Sequence, residues 1–287
     1  MTHRSPIDDA GRAAALEPTV TVPAAQVPHG GRRIRPGTMR TVAALILREM
    51  STRYGRTPGG YLWAILEPLG AVLILSFGFA LLLRTPSLGN SFLLFYASGF
   101  LPFNLYMVIT NMVARSLLFS RPLLAYPAVT WLDAILARFL LNTLTGLLVS
   151  YLLFAGILIF TDARVVIDIG PLVGAMLLAA LLGLGVGALN CLLMGLYPTW
   201  EMFWGIVTRP LFLASGVIFI YEDLPAGAQN VLWYNPLMHV TGLMRTGLYP
   251  MYNPEYLSWV YVLGCALAPL MMGLLLLRRH YKTILNI

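Results

Sequence analysis

Two charged residues stand inside long apolar segments of this sequence, where an unpaired charge is costly. Glu67 and Arg209 each lie six or seven residues into such a segment, a depth of about 9–11 Å along a helix. Their opposite signs and similar depth predict an ion pair, either within one chain or between two chains. In the alternative hypothesis, Arg209 binds the sugar carboxylates or the lipid phosphate of a ligand. Arg115 lies near the end of its segment and can extend to the membrane surface.

Aromatic residues form a second group of candidates. Tyr96, Phe100 and Phe103 are spaced i, i+4 and i+7, which places them on one face of a helix. Trp204 lies in a later segment that is also rich in Trp and Phe. Ring faces pack against the apolar face of a sugar, so we predict that these four residues line a pathway for a carbohydrate. An interfacial aromatic belt, or packing in the core, would produce the same enrichment.

Catalytic chemistry has little support in the sequence. The histidines His3, His29, His239 and His280 are scattered without metal-ligand spacing. Glu222, Asp223 and His239 are the one cluster that could supply an acid or a base. Cys191 and Cys265 lie in apolar runs and are expected to be buried free thiols. Two functions, a membrane glycosyltransferase and an ion-driven transporter, therefore have little support in the sequence. Dependence of transport on an ATPase would exclude the ion-driven transporter.

The composition identifies a membrane protein. Hydrophobic residues make up 58% of the chain and charged residues 11%, whereas soluble domains carry about 25% charged residues. A spanning helix needs about 20 apolar residues. Six runs are long enough to cross a bilayer: 61–83, 92–118, 139–160, 169–197, 202–221 and 256–277.

The basic residues predict the orientation of these spans. Seven arginines and one acid, Glu49, lie between residues 32 and 56, and three basic residues without an acid follow the last run. Positive residues flank spans on the cytosolic side, so both termini are predicted to be cytosolic and nucleic-acid binding is not expected. Residues 1–38 are rich in Pro, Ala, Gly and Thr and are predicted to form a disordered cytosolic tail.

Three shorter segments complete the predicted architecture. Residues 39–57 are predicted to form an amphipathic helix at the cytosolic interface, although Glu49 and Arg53 interrupt its apolar side. Residues 119–134 contain two prolines and form either a cytosolic element that a motor protein could push or an interfacial turn. The small residues of 169–197 are expected to allow close helix packing.

The region 224–255 is too polar for a span and too apolar for an ordinary loop. Its prolines divide it into two short helical pieces, which can re-enter the outer leaflet if protein satisfies their ends. We therefore predict an all-α membrane protein with six transmembrane helices at 58–283, an N-terminal interfacial helix and short re-entrant external gate helices.

Three stretches resemble one family. The sequences GYLWAILEP (60–68) and YNPLMHVTGLMR (234–245), with the pattern RP…D..ILAR across 121–138, together resemble ABC-2-type export permeases. The resemblance covers about residues 38–283 and is greatest to the inner-membrane permease subunit of Gram-negative capsular polysaccharide exporters. Permeases of O-antigen and teichoic-acid exporters, and of ABC-2-type drug or lipid exporters, share this architecture. The resemblance leaves these functions as alternatives.

The resemblance implies partners and cofactors. It implies a homodimer with two copies of a separate ATP-binding subunit, which would hold ATP and magnesium, so no cofactor or metal is expected on this chain. It also implies a lipid-linked acidic polysaccharide as substrate, with a periplasmic co-polymerase or adaptor and an outer-membrane export protein as further partners. The bacterial inner membrane is the implied location, and the ATPase subunit, not this chain, would be the enzyme.

The resemblance also implies roles for individual positions. The ATPase would be coupled through Arg121, Pro122, Tyr126, Asp133 and Arg138. The external gate would include Trp233, Tyr234, Asn235, Pro236, His239 and Arg245.

Overall fold

The computed structural model describes residues 38–54, 59–124, 129–161 and 167–286, and no strand occurs among them. The all-α class is therefore confirmed for this part of the chain, whereas the predicted tail at 1–38 and Tyr126 lie outside it, apart from Thr38 at the start of the first helix. The helices are α1 (Thr38–Tyr54), α2 (Tyr61–Ala80), α3 (Phe92–Ala114), α4 (Ser116–Leu124), α5 (Trp131–Phe160), α6 (Ile169–Leu196), α7 (Thr199–Ala214), α8 (Ala226–Leu232), α9 (Pro236–Leu248) and α10 (Trp259–Asn286).

Five helical stretches among the described residues are long and apolar enough to cross a membrane: α2, the nearly continuous α3 and α4, α5, α6 and α10. Six spans had been predicted, and the fifth of them, the run 202–221, is not confirmed. The run 202–221 corresponds to α7, which has 16 residues and a length of about 24 Å. The hydrocarbon core of a bilayer is about 30 Å thick.

The shortness of α7 has a local cause. The helix ends at Ala214, and Gly216 then adopts a φ of +68°, a conformation that only glycine enters without strain. A Cβ at this position would also lie 2.5 Å from the sulfur of Met238. The chain therefore leaves the helix at Ser215, and the apolar residues after it pack as non-helical backbone and do not extend the span.

The centre of the molecule is α6, which packs mainly against α10, α3 and α9. A Cβ at Gly183 would lie 3.0 Å from the carbonyl oxygen of Tyr106 on α3, and one at Gly187 would lie 2.8 Å from Val113. A Cβ at Gly185 would overlap the carbonyl oxygen of Ala266 on α10. The predicted close packing of this glycine-rich helix is confirmed, with one face on each neighbour.

Two helices at the edge of the molecule are held more loosely. Only 11% of the most apolar stretch of α2 is buried, against 67% for α3 and 50% for α6. No residue of α7 is buried. These two helices carry Glu67 and Arg209, the residues with which the sequence first suggested a function.

The predicted helix over 39–57 is observed up to Tyr54 as α1, which packs against α5, and residues 55–57 lie outside the described residues. Val42 is buried, as its apolar pattern predicted, but Glu49 is buried as well. The acid that interrupts the apolar side of this helix therefore faces the protein.

Candidate functional site

A recess with both polar and apolar lining residues lies between α2, α3 and α5. Its volume is about 270 Å³, and it contains the carboxyl group of Glu67 beside hydrogen-bonding side chains of α3 and α5. We call this recess the Glu67 cleft. Its polar lining comprises Glu67, Asn104, Asn142, Thr145 and Ser150. So many polar groups in an apolar helical domain indicate that the cleft receives water or a polar partner.

The structure does not pair Glu67 with Arg209 inside one chain. Both side chains are exposed, and neither has an ion-pair or hydrogen-bond partner among the described residues. An ion pair between Glu67 of one chain and Arg209 of another stays a prediction.

The aromatic candidates are largely held in packing contacts. Tyr96 is 1% exposed and lies against Phe79, Phe92 and Phe95. These contacts favour core packing, the alternative to a substrate pathway, for this residue.

The other rings join α3 to α7. Phe100 and Phe103 meet the ring of Phe212 edge to face, with centroids 6.4 and 5.3 Å away. Trp204 is half-buried, and its indole N–H has no partner in the described part of the chain. A role in the substrate pathway for Tyr96, Phe100, Phe103 and Trp204 remains a prediction.

The residues predicted to couple to an ATPase separate into two groups. Arg121 and Pro122 lie on α4 and are exposed, so a partner could reach them. Asp133 is buried and accepts hydrogen bonds from the amide and hydroxyl of Thr130, at 3.0 and 2.7 Å, in a capping box at the start of α5. Asp133 therefore stabilises the start of α5 and is not itself accessible to a partner.

Arg138 also lies inside. Its Nε is 3.2 Å from the carboxylate of Glu49, its guanidinium group lies 4.1 Å above the ring of Phe119, and Nη1 donates to the carbonyl of Met112 at 3.0 Å. One side chain on α5 thus contacts α1, α4 and α3. The arrangement can transmit a movement of α4 to α1 and α5.

A second ion pair lies at the same end of the molecule, and no pattern along the sequence indicates it. Nη2 of Arg115, at the end of α3, donates to Glu201 of α7 at 2.5 Å, and both side chains are about half exposed. Arg115 had been expected only to extend to the membrane surface. The two residues are 86 positions apart, so spacing along the chain could not reveal the contact.

The predicted gate region contains the two short helices that its prolines indicated, α8 and α9. The side chain of Asn235 accepts from the N–H of Leu237 and donates to the carbonyl of Ala214 at 2.8 Å. Pro236 occupies the first turn of α9, where its missing N–H costs nothing. Asn235 therefore caps α9 and ties it to the end of α7, while α9 packs against α6, α3 and α10.

Arg245 is buried in this region, with 1% of its surface exposed. Its guanidinium group donates to the carbonyls of Phe219 and Val217, at 2.8 and 3.2 Å, and lies 4.4 Å above the ring of Phe95. The two carbonyls belong to the non-helical backbone that follows α7. Arg245 satisfies backbone groups that would otherwise lack partners in a dry environment.

His239 is held by backbone groups on both sides of its ring. The N–H of Ser258 donates to Nδ1 at 3.3 Å, and Nε2 lies 2.8 Å from the carbonyl oxygen of Trp233. The hydrogen bonds assign the proton to Nε2 in a neutral ring. Burial lowers the pKa of His239 below its usual value.

Neither nitrogen of His239 is free for acid–base chemistry. Glu222 accepts a hydrogen bond of 2.9 Å from the hydroxyl of Tyr252, so it too has a structural partner. Trp233 and Tyr234 pack beside His239 in a cluster of rings, with Tyr234 exposed. No group of His, Cys, Asp and Glu that could hold a metal ion occurs among the described residues.

Comparison with known proteins identifies relatives that match most of this chain. The family described as ABC-2 type transporter matches residues 40–249. Polysialic acid transport protein KpsM of Escherichia coli is 32% identical over 246 residues, which are 86% of this chain and 95% of KpsM. The capsule polysaccharide export inner-membrane proteins CtrC of Neisseria meningitidis and BexB of Haemophilus influenzae are 28% and 27% identical, each over 85% of this chain and 92% of its own length.

Proposed function

Because this chain belongs to the ABC-2 type transporter family, we propose that it is the permease half of an ATP-driven polysaccharide exporter in a bacterial inner membrane. Its cargo would be a lipid-anchored acidic capsular polysaccharide. Two copies would form the membrane pathway, with both termini in the cytosol and α7 with the residues after it as a sixth, irregular crossing.

The observation that carries this proposal is the 32% identity to a polysialic acid transport protein over 95% of that protein's length. The family match at residues 40–249 includes most of α1, the helices α2 to α7 and both helices of the gate region. CtrC and BexB, named for capsule polysaccharide export, match over nearly the same region. The shared cargo class of these relatives supports an acidic capsular glycan over the other cargoes of the family.

ATP would be hydrolysed, with magnesium, on two copies of a separate ATP-binding subunit. The exposed residues Arg121 and Pro122 on α4 give that subunit a surface to push. Movement of α4 would reach α1 and α5 through Phe119 and Arg138. At the opposite end, α8 and α9 would form the gate through which the glycan passes to a periplasmic adaptor and an outer-membrane export protein.

Deletion of the gene in its native host tests this proposal. We expect full-length, lipid-terminated polysaccharide to accumulate in the cytosol and to disappear from the cell surface. A plasmid copy of the gene should restore the surface glycan, and deletion of the ATP-binding subunit should reproduce the defect. A normal surface glycan would contradict the proposal and favour a drug or lipid exporter, and absence of polymer from all compartments would favour a synthase.

A further inference from the structure

Arg209 presents a charged group that the described part of its own chain does not neutralise. It lies on α7, a helix without a single buried residue, and its side chain is exposed and has no partner within the described residues. Hydrophobic residues such as Ile206 and Leu213 are exposed on the same helix. A charge left against lipid tails at this depth is costly. Arg209 therefore needs a partner that the described part of its own chain does not supply.

The Glu67 cleft offers the complementary chemistry. Guanidinium has five N–H donors and no acceptor. The cleft supplies a carboxylate without a partner in the described structure, together with amide and hydroxyl oxygens from α3 and α5. An arginine side chain that entered it would meet an opposite charge and several acceptors at once.

The two groups also lie at compatible depths. Glu67 is seven residues beyond Gly60, the N-cap residue of α2, and Arg209 is eight residues beyond Glu201, the polar residue in the first turn of α7 that is paired with Arg115. At 1.5 Å per residue these positions correspond to about 10 and about 12 Å along each helix. The length and flexibility of an arginine side chain accommodate the difference.

We propose that Arg209 of one copy inserts into the Glu67 cleft of a second copy, an inference that rests on the proposed homodimer. In a two-fold symmetric dimer the same patch is used twice, so the contact forms two identical ion pairs. Each cleft is then complete only when the partner's α7 is present. The contact joins α2 of one copy to α7 of the other, two helices of which little or nothing is buried within their own chain.

Thiol cross-linking in native membranes tests this contact. In a chain with Cys191 and Cys265 replaced by alanine, Glu67→Cys is combined with Arg209→Cys, and a short bifunctional methanethiosulfonate linker is added. We expect a covalent dimer. The matched control combines Glu67→Cys with Val207→Cys, which is exposed on α7 but turned about 200° away from position 209, and it should give several times less dimer.

A link confined to single chains would overturn the proposal, as would equal yields at positions 207 and 209. Charge exchange provides the second test. Glu67→Arg and Arg209→Glu should each reduce the dimer recovered in mild detergent, and the combined variant should restore it. If the combined variant stays as defective as the single variants, the pair does not exist, and recovery of the purified chain with bound anionic lipid only when Arg209 is intact would assign Arg209 to a lipid phosphate.

These readouts do not depend on the cargo. A cross-linked dimer in a strain whose surface glycan is unaffected by gene deletion would retain the contact and refute the proposed function. If the contact is missing but the protein exports polysaccharide, the proposed function is retained and the contact between Arg209 and Glu67 is refuted.

Discussion

Glu49 of α1 and Arg138 of α5 form an ion pair at 3.2 Å in which each side chain is only 7% exposed. Phe119 of α4 covers the guanidinium group at 4.1 Å. A helix that the sequence predicts as an interfacial element is thus attached to the transmembrane domain by a buried charge. The same arginine also touches the helix that we expect to contact the ATPase.

Removal of one member of this pair should be strongly destabilising. We expect Glu49→Gln to lower the free energy of unfolding by about 3–5 kcal/mol, because it leaves the buried guanidinium uncompensated. The double variant Glu49→Leu with Arg138→Met, which removes both charges, should be less destabilised than the single one. Thermal unfolding of the detergent-solubilised protein measures both effects.

The control for that experiment is the pair between Arg115 and Glu201, whose side chains are about half exposed. Exposed ion pairs contribute about 0–1 kcal/mol, so Glu201→Gln should alter the unfolding temperature little. Equal losses in Glu49→Gln and Glu201→Gln would contradict the structural distinction between the two pairs.

A single methyl group at Gly185 should disturb the centre of the molecule. Its Cβ would overlap the backbone carbonyl of Ala266, and backbone cannot move aside as a side chain can. We expect Gly185→Ala to cost about 1–3 kcal/mol or more through overpacking. Gly264→Ala on α10, where no atom lies within 4 Å of the added carbon, should change stability by less than about 1 kcal/mol. Parallel melting curves decide between the two outcomes.

Acid should weaken the gate region through His239. Burial lowers the pKa of this residue in the folded protein. As the pH falls below about 6.5, His239 therefore binds a proton in the unfolded chain while it stays neutral in the folded chain. Stability should therefore decrease on acidification from about pH 7.5 to about pH 5.5. His239→Gln, whose amide can still donate to the carbonyl of Trp233, should lose less stability over this range. An identical acid response in both proteins would show that His239 is not responsible.

The exposed arginine of α4 should affect assembly without affecting folding. Arg121→Glu is expected to reduce affinity for the ATP-binding subunit by about tenfold or more, equivalent to about 1.4 kcal/mol, with an unchanged melting temperature. Lys282→Glu, an exposed charge reversal on α10, serves as the control and should bind normally. Co-purification of the two subunits at several salt concentrations measures the difference, and equal binding by the two variants would exclude Arg121 from the coupling surface.

Several elements of this fold could be predicted because their signals are local. The apolar runs, the helix over 39–57, the two helices of the gate region and the glycine face of α6 each depend on residue type and spacing within a short window. Four of the six predicted spans each correspond to one helix, although α5 begins well before its predicted span and α10 continues well beyond its own, and the second span includes part of α4.

The contacts that the sequence did not reveal connect residues that are far apart. Glu49 interrupts an apolar helix face, and only its pairing with Arg138, 89 positions later, explains why it is buried. Likewise, hydropathy extends the fifth span to 221, but Arg245 holds the carbonyls of Val217 and Phe219 outside the helix. Charge and hydropathy along the chain cannot show which distant side chain satisfies a buried group.

The glycine contacts of α6 make the centre of this molecule stiffer than its loosely packed helices α2 and α7. Where backbones approach as closely as they do at Gly183, Gly185 and Gly187, helices cannot slide past one another without a clash, so α3, α6 and α10 form a block that resists bending. In the proposed exporter, a movement of α4 would then displace the loosely held α2 and α7 more than this block. A passage between two such blocks would widen without disrupting either core, and its width would follow the size of the cargo.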